Sequence, residues 1–583
     1  MTDETTERLK TEATGSPRGL SRRRLIQGAA AAGVAAWLPF EQIPAASAAL
    51  PTPPSFPSGI SLFQQSYRNW AGAIAVDDVW TCTPTSPAQV VTLANWARAH
   101  GWRLRAKGSS HNWSPLSLAA DGSDAANVVL VDTKTHLTAI SVNTATSRVR
   151  VQTGATMLAL LTALESNGLG VTACPAPGDL TVGGVLAIDG HGTAVPKSGE
   201  TKPAGHTYGS ISNLVQEITA VVWDGANSSY VLKTYDRSAP EAGALMAHVG
   251  RAFVTEVVLQ AGPNQRLRCQ SWFDIPATEL FAPAGSGGKT FTSYLSSAGR
   301  VEAIWFPFTP KPWLKVWSVA PSKPLFARQV NSPYNYSFSD NLPAFFFDLA
   351  ESIVRGNPAG TPDFGLNNYN IVAAGLVTTF TYDLWGWSKN LLLYVRPSTL
   401  RVTANGYAIV CKRSDVQRVI HEFTARYSTR LDAYRAQGRF PMNGPVEIRV
   451  TGLDKPSDVG ATRSPQLSAL RPRPDRPDWD CAVWLDILTL PGTPYADEFY
   501  AEIESWIYGN YASYADVRPE WSKGWAYTSS GPWTSSDVID DRVPATFRAG
   551  QPVNDNWDSA RQMLDILDPA RVFSSSFVTR LLY

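Results

Sequence analysis

The chain is poor in the residues that build metal and redox scaffolds. Among 583 residues there are five cysteines, at Cys82, Cys174, Cys269, Cys411 and Cys481, with no C-x-x-C pair and no Cys/His ligand spacing. Zinc is therefore not indicated and no disulfide framework can be read, although one or two bridges stay open in an exported protein. Charge is sparse too. Charged residues make up 17% and the net charge is +1, so neither a nucleic-acid face nor a polybasic membrane anchor is expected. No segment reaches the ~18 apolar residues that span a bilayer. There is no G-x-G-x-x-G opening a helix and no Walker loop, which disfavours a Rossmann domain or a P-loop. Histidine is also scarce: beyond residue 268 only His421 occurs, in an amphipathic helical run.

Aromatic residues are plentiful. The 20 tryptophans and 11% aromatic content suit a packed core together with a large, flat apolar ligand. The length is enough for two or more domains. The N-terminus reads as an address. Ser21-Arg22-Arg23-Arg24 leads into the apolar run Gly28–Leu38 and the small-residue site Ala46-Ser47-Ala48. A twin arginine before a modest apolar run marks residues 1–48 as a Tat signal, an ordinary Sec signal being the alternative. The Tat route exports folded proteins, which suits one that loads a cofactor first. The mature protein is expected to be secreted.

Three glycine-rich elements punctuate an α+β region between about residues 75 and 265. The first is Arg105-Ala106-Lys107-Gly108-Ser109-Ser110-His111-Asn112-Trp113-Ser114-Pro115, between a short strand and the strand Val128–Asp132. Small residues there let backbone N–H groups close on an anion, although taken alone the stretch reads more readily as a turn. The second runs from Gly178 through Gly183-Gly184 to Gly190-His191-Gly192-Thr193, and the third is Gly209-Ser210-Ile211-Ser212-Asn213-Leu214-Val215. Helical periodicity over Ala88–His100 and Met157–Asn167 alternates with strand-like runs at 127–132, 148–153, 218–223, 229–233 and 254–259.

In this order, with Trp223-Asp224-Gly225 and Val254-Thr255-Glu256-Val257 following, the elements resemble the vanillyl-alcohol-oxidase type of FAD-binding domain. The resemblance implies FAD, with the first loop on the pyrophosphate and a covalent bond from His111 to the flavin 8α-methyl carbon. It places cofactor contacts at Lys107, Gly108, Ser109, Ser110, His111, Asn112, Asp179, Thr181, Val182, Gly183, Gly184, Gly190, His191, Gly192, Ser210, Ile211 and Val254. A second covalent link through Cys174, as in bicovalent relatives, does not fit its spacing from the paired glycines, so Cys174 is read as structural. His191 is read as a turn residue facing the cofactor. Ala252, where the family usually has glycine, puts one local turn in doubt.

From about residue 268 the composition turns aromatic: Trp305-Phe306-Pro307-Phe308, Trp313-Leu314-Lys315-Val316-Trp317, Phe345-Phe346-Phe347 and Trp385-Gly386-Trp387. Alternating strands with helices at 414–438 and 495–508 predict a large antiparallel sheet covered by helices. In Val446-Glu447-Ile448-Arg449-Val450, period two puts Glu447 and Arg449 on one strand face, as a functional pair or as a structural salt bridge. Glu302 stands alone before an apolar segment, either as an acid of raised pKa or as a strand-end surface group.

Val301-Glu302-Ala303-Ile304-Trp305, Ser339-Asp340-Asn341-Leu342-Pro343, Trp385–Lys389, Asn443–Arg449 and Pro519-Glu520-Trp521-Ser522-Lys523-Gly524-Trp525 resemble the covalent-flavin (type II) cholesterol oxidases. This implies a 3β-hydroxysteroid substrate, oxidised and isomerised to the 4-en-3-one, with O2 reduced to H2O2. Catalytic charges are expected at Glu302, Glu447, Arg449 and Lys523, the last near flavin N1–C2=O. The Glu447–Arg449 pair is also expected to gate oxygen. The expected organisation is a two-domain vanillyl-alcohol-oxidase-type flavoprotein. It has a signal at 1–48, an FAD domain at 57–267, a steroid domain at 268–510 and a segment at 511–583 that returns to the FAD domain. Transient membrane-surface contact through exposed aromatic loops is expected for an enzyme that must reach lipid. Two rivals remain: an oxidase or dehydrogenase of the same scaffold acting on a polyol or aromatic alcohol, and a colourless aromatic-rich lipid or glycan binder.

Overall fold

A computed structural model describes residues 50–336 and 344–583. The twin-arginine stretch and the Ser339–Pro343 motif lie outside these residues. Two architectures meet along the chain. The first is α+β. A four-stranded sheet takes Ser61–Arg68 and Ala75–Thr83 as an antiparallel pair, then Val128–Asp132 parallel to both Ala75–Thr83 and Arg103–Lys107. The helix Pro87–His100 between them has conventional ends: the Ser86 hydroxyl accepts from Gln89 N, proline opens the first turn, and Gly101 closes it at φ 70°. A second, antiparallel sheet orders Ile140–Asn143, Arg148–Gln152, Phe253–Gln260, Val215–Asp224 and Ser229–Asp236. The strand periodicity in the sequence therefore corresponds to real ladders, with ends extended by a few residues.

The second architecture is a nine-stranded sheet. Its order is Arg328–Val330, Asp383–Trp387, Arg266–Trp272, Trp313–Val319, Arg300–Trp305, Val446–Gly452, Cys481–Thr489, Thr403–Cys411 and Asp516–Pro519. All neighbours are antiparallel except the first pair. The helices Val416–Arg435 and Ala496–Tyr511 cover one face, sharing an apolar core with the central strands through Phe423, Tyr427, Phe499 and Ile503.

The sheet draws on more of the chain than the 268–510 segment. It begins at Arg266 and takes its last strand from 516–519, because the backbone of Tyr407–Val410 is left with an open edge that this segment pairs. After that strand the chain turns back to the α+β architecture. Leu104 N donates to Val572 O at 2.8 Å. Asp568, buried beside Tyr230, receives Arg251 at 2.6 Å, and Phe573 packs against Tyr230 and Phe253. Among the described residues, no helix is long and apolar enough to cross a membrane.

Candidate active site

Two cavities open where the architectures meet, and they share His111, Leu180, Val185 and Ile188. The smaller lies inside the α+β part. Lys107 to Asn112 line it on one side, and Thr181, Gly183, Gly184 and Val254 on the other. Ser110 sits at φ 54°, the left-handed conformation found in anion-binding loops. Gly108 is needed for its size, since a Cβ there would lie 2.3 Å from Thr181 Oγ1. Two cations flank the loop: Lys134 donates to Ser109 at 2.9 Å, and Lys107 pairs with Asp132 at 3.6 Å. The Ala252 turn forms without glycine at that position, reversing instead through Val249 (φ 46°) and Gly250 (φ 80°).

His111 ends this loop at the junction of both cavities. Its ring stacks on Trp70 at 3.7 Å and meets Trp113 edge-on. Burial, with Arg401 and Lys523 nearby, pushes its pKa down to about 3, so the imidazole is neutral across the working pH range. Its Nδ1 is buried without a hydrogen-bond partner. A small-residue loop with a left-handed Ser110, a glycine with no room for a side chain and a buried imidazole with an orphaned nitrogen together fit FAD.

The larger cavity, of about 350 Å³, is walled mainly by apolar residues, among them Ile304, Phe306, Trp317, Val372, Leu392 and Leu490. One region of its lining is charged. Glu302 is 2% exposed and accepts from the Tyr394 hydroxyl at 2.9 and 3.0 Å. Lys315 approaches it at 3.3 Å and Arg449 at 3.5 Å. The Lys315 ammonium is caged by aromatic faces, Tyr394 at 3.2 Å and Trp317 at 4.8 Å from the ring centroids. Arg449 also contacts Glu447 at 3.2 Å and donates to Asp486. Asp486 in turn pairs with Lys523, and Lys523 with Glu520 at 3.3 Å. Glu520 faces His191 at 3.7 Å, and that ring stacks on Trp484 at 3.6 Å.

The four expected catalytic charges, Glu302, Glu447, Arg449 and Lys523, all line this cavity, together with Gly190, His191 and Gly192. Strand register brings the first three together, since Glu302 pairs across from Arg449 and Ile304 from Glu447. Lys523 arrives on a loop pinned to the flavin side: Trp113 N and Ser114 N both donate to Ser522 O, at 2.7 and 3.0 Å.

Four expected cofactor contacts line neither cavity. Ser210 gives its N–H and hydroxyl to Asp454, and Ile211 N donates to Gly190 O, so this pair braces the Gly190 turn from behind. Val182 is buried in the core of the α+β domain. Asp179 contributes only its carbonyl, which accepts from Ser109 Oγ at 2.5 Å. The expectation that Glu302 has a raised pKa is also corrected. Burial alone would raise it, but Lys315, Arg449 and Tyr394 outweigh burial and hold the carboxyl below its ordinary value. Cys174 borders the cavity as a free thiol pushed up to about 12 by burial, and all five cysteines are free. Among the described residues, no cluster has the ligands for a metal ion.

The sequence reading missed Lys315, Tyr394, Asp486, Glu520 and Lys134. Two had a visible signal: Lys315 alternates with Trp313 and Trp317 on one strand face, and Asp486 is the single acid in Cys481–Leu488.

Fold and site together define a two-domain FAD-binding protein of the vanillyl-alcohol-oxidase type. A family model described as "FAD binding domain" matches residues 80–227, and one described as "Cholesterol oxidase, substrate-binding" matches residues 266–583. Among solved structures, a solvent-stable cholesterol oxidase is 59% identical with a TM-score of 0.90, over 91% of this chain and 100% of that one. The cholesterol oxidase from B. sterolicum is 48% identical with a TM-score of 0.90, over 92% and 100%. A histidine-to-alanine mutant of the Brevibacterium sterolicum enzyme matches equally. No curated protein sequence matches. The chain belongs to the cholesterol oxidase family.

Proposed function

We propose that this protein is an exported, FAD-dependent oxidase of 3β-hydroxysteroids, with cholesterol as the model substrate, joined covalently to its flavin through His111. Alcohol and O2 become ketone and H2O2, and the double bond then migrates to give the 4-en-3-one. The observation that carries this reading is the larger cavity: an apolar chamber that reaches His111 at one border and a compact set of charges at another. A sterol is rigid and apolar with one hydroxyl, and such a chamber suits it. A polyol would leave most of its hydroxyls without partners here, which sets that rival aside.

When bound, FAD supplies the two-electron acceptor for the steroid C3 hydrogen and passes the electrons to oxygen. The 107–112 loop and Thr181–Gly184 hold its pyrophosphate, and Lys523 presents positive charge toward the ring. Glu302, ionised at rest, and Glu447 are the carboxylates that face the substrate. They are the acceptors for the hydroxyl proton and the carriers of the proton that moves from C4 to C6. Arg449 stands between them, orients both, and with Glu447 forms the proposed oxygen gate. Residues 57–267 with the returning C-terminal segment carry the cofactor, and the nine-stranded sheet carries the steroid.

Acid precipitation tests the centre of this proposal. Yellow colour stays with the wild-type pellet and is released in His111→Ala, and cholesterol turnover yields one peroxide per ketone. A yellow supernatant from wild type removes the covalent link, and absent cholesterol turnover removes the substrate. Export by the twin-arginine route requires Arg22 and Arg23; a double lysine variant that is still exported refutes it. Membrane contact is proposed at Leu325, Phe326 and Phe380, exposed by 82, 86 and 69%, on loops joined by the Arg328–Thr379 hydrogen bond. Unchanged binding of Phe326→Asp/Phe380→Asp to cholesterol-containing vesicles removes that proposal.

A further inference from the structure

Asp486 lies in the middle of the strand Cys481–Thr489 and is fully buried. Antiparallel register sets it directly opposite Glu447 on one side and Gly406 on the other. One oxygen, Oδ2, accepts from both Arg449 and Lys523. The other, Oδ1, has no hydrogen-bond partner. Space for this arrangement comes from Gly406: a Cβ there would sit 2.7 Å from Lys523 Cδ, 2.8 Å from Glu520 Oε2 and 2.9 Å from Asp486 Oδ1. Any side chain at 406 would break the group apart.

The charge count of this cluster is uneven. Lys315, Arg449 and Lys523 supply three positive charges, against four carboxyls at Glu302, Glu447, Asp486 and Glu520. Buried charges are tolerated when they balance, so one proton completes the set. Two oxygens of the set are buried without a hydrogen bond, Asp486 Oδ1 and Glu520 Oε2; the second faces the Lys523 ammonium at 3.3 Å, which leaves Asp486 Oδ1 as the place for the proton.

We propose that Asp486 is a positioning residue whose single ionisation couples the steroid-side cation Arg449 to the flavin-side cation Lys523. The inference rests on the proposed flavin-dependent reading of the cavity. The groups facing Asp486 are Arg449 and Glu447 from the strand Val446–Gly452, and Lys523 and Glu520 from the 520–523 loop. Lys315 and Glu302 stand behind Arg449, and His191 stands behind Glu520. Burial first, and then Glu520, push the Asp486 carboxyl up to about 8 against the pull of Lys523 and Arg449. Below that pH Asp486 is neutral, leaving the charge of Arg449 to Glu302 and Glu447 and that of Lys523 to the flavin side. Above it, one new negative charge lowers the positive potential at both ends together.

The test uses flavin-loaded enzyme that oxidises cholesterol, titrated in the oxidised state without substrate from pH 6 to 10 while visible absorption and circular dichroism are recorded. Wild type is expected to show a one-proton spectral transition near pH 8. Asp486→Asn, neutral at every pH, is expected to lose it. Glu520→Gln, which removes the like-charged neighbour, is expected to move it to lower pH. A transition that persists in Asp486→Asn, or none in wild type, overturns the inference alone. Should Asp486→Asn fail to fold, a transition unmoved by Glu520→Gln overturns it equally. Protein purified without flavin, or inactive on cholesterol, overturns the functional reading and this inference with it.

Discussion

Lys315→Met is the sharpest perturbation of the site. It keeps the volume and the aromatic cage but removes a buried ammonium 3.3 Å from Glu302. At an effective dielectric of ~20, the attraction at that distance is about 5 kcal/mol. Its loss leaves burial as the largest influence on Glu302, with Arg449 and Tyr394 as the remaining support. The carboxyl then moves from below its ordinary value toward protonation. In wild type, a depressed carboxyl adds stability above the unfolded pKa of ~4.3, and that stability is lost as pH falls through the folded value. In the variant the sign reverses. A carboxyl raised by burial binds its proton more tightly when folded, so its contribution is present at low pH and lost as pH rises. The stability gap between the two proteins is therefore expected to be small near pH 4 and to widen to about 3–5 kcal/mol at pH 8, the cost of an uncompensated buried charge. With Glu302 in its proposed role as base, protonation at rest also costs about 10²–10⁴-fold in kcat/KM at pH 6, part of which returns as pH rises. Denaturant melts at both pH values and a kcat/KM profile check this. A gap independent of pH with an unmoved acid limb would refute the pairing argument.

Three further outcomes follow from single contacts. Gly108→Ala drives a methyl into Thr181, and should give protein of near-normal secondary structure that purifies with little flavin, read from the absorbance ratio of visible to ultraviolet bands. Tyr394→Phe removes a donor to both Glu302 oxygens; hydrogen bonds to charged groups are worth ~1.5–3 kcal/mol, so kcat/KM should fall about 10–150-fold with little change in flavin content. Asp568→Asn leaves Arg251 buried with a weakened partner and should lower unfolding free energy by about 3–5 kcal/mol, measured by denaturant titration. Unchanged stability there would mean that the C-terminal return contributes little to holding the flavin domain.

The fold was legible wherever local pattern and burial agree. Pro87–His100 carries its own caps and Val128–Asp132 its own apolar β-branched run, and the structure keeps both within a residue or two. Glu447 and Arg449 could be placed on one face from spacing alone because a strand has period two. Three kinds of residue were not legible. Asp516–Pro519 is too short to read as a strand and exists as one only because a neighbouring edge needs pairing. Ser210 and Ile211 share the glycine-rich texture of a cofactor loop, yet serve it from behind through Asp454 and Gly190. The raised pKa expected for Glu302 failed because isolation in sequence is not isolation in space. Lys315 is the cross-strand neighbour of Glu302, a relation that only sheet register creates.

The position of Lys523 explains why the chain passes from one architecture to the other and back. The proposed role beside the flavin needs Lys523 fixed relative to His111, yet Lys523 belongs to a segment that has just left the nine-stranded sheet. Five hydrogen bonds resolve this. Gly406 N donates to Gly524 O and Glu520 N to Gly406 O, tying the 520–524 turn to the strand Thr403–Cys411. Ser522 O receives both Trp113 and Ser114, tying the same turn to the loop that ends in His111. Trp113 Nε1 reaches Val402 O at 2.6 Å, closing the triangle from the other side. A loop held at both ends by backbone hydrogen bonds loses little further entropy when its lysine pairs with Asp486 and Glu520, so the geometry is fixed before substrate arrives. The electrostatic cluster thus occupies the seam because only there can a strand-borne acid set and a loop-borne cation be clamped against the same imidazole.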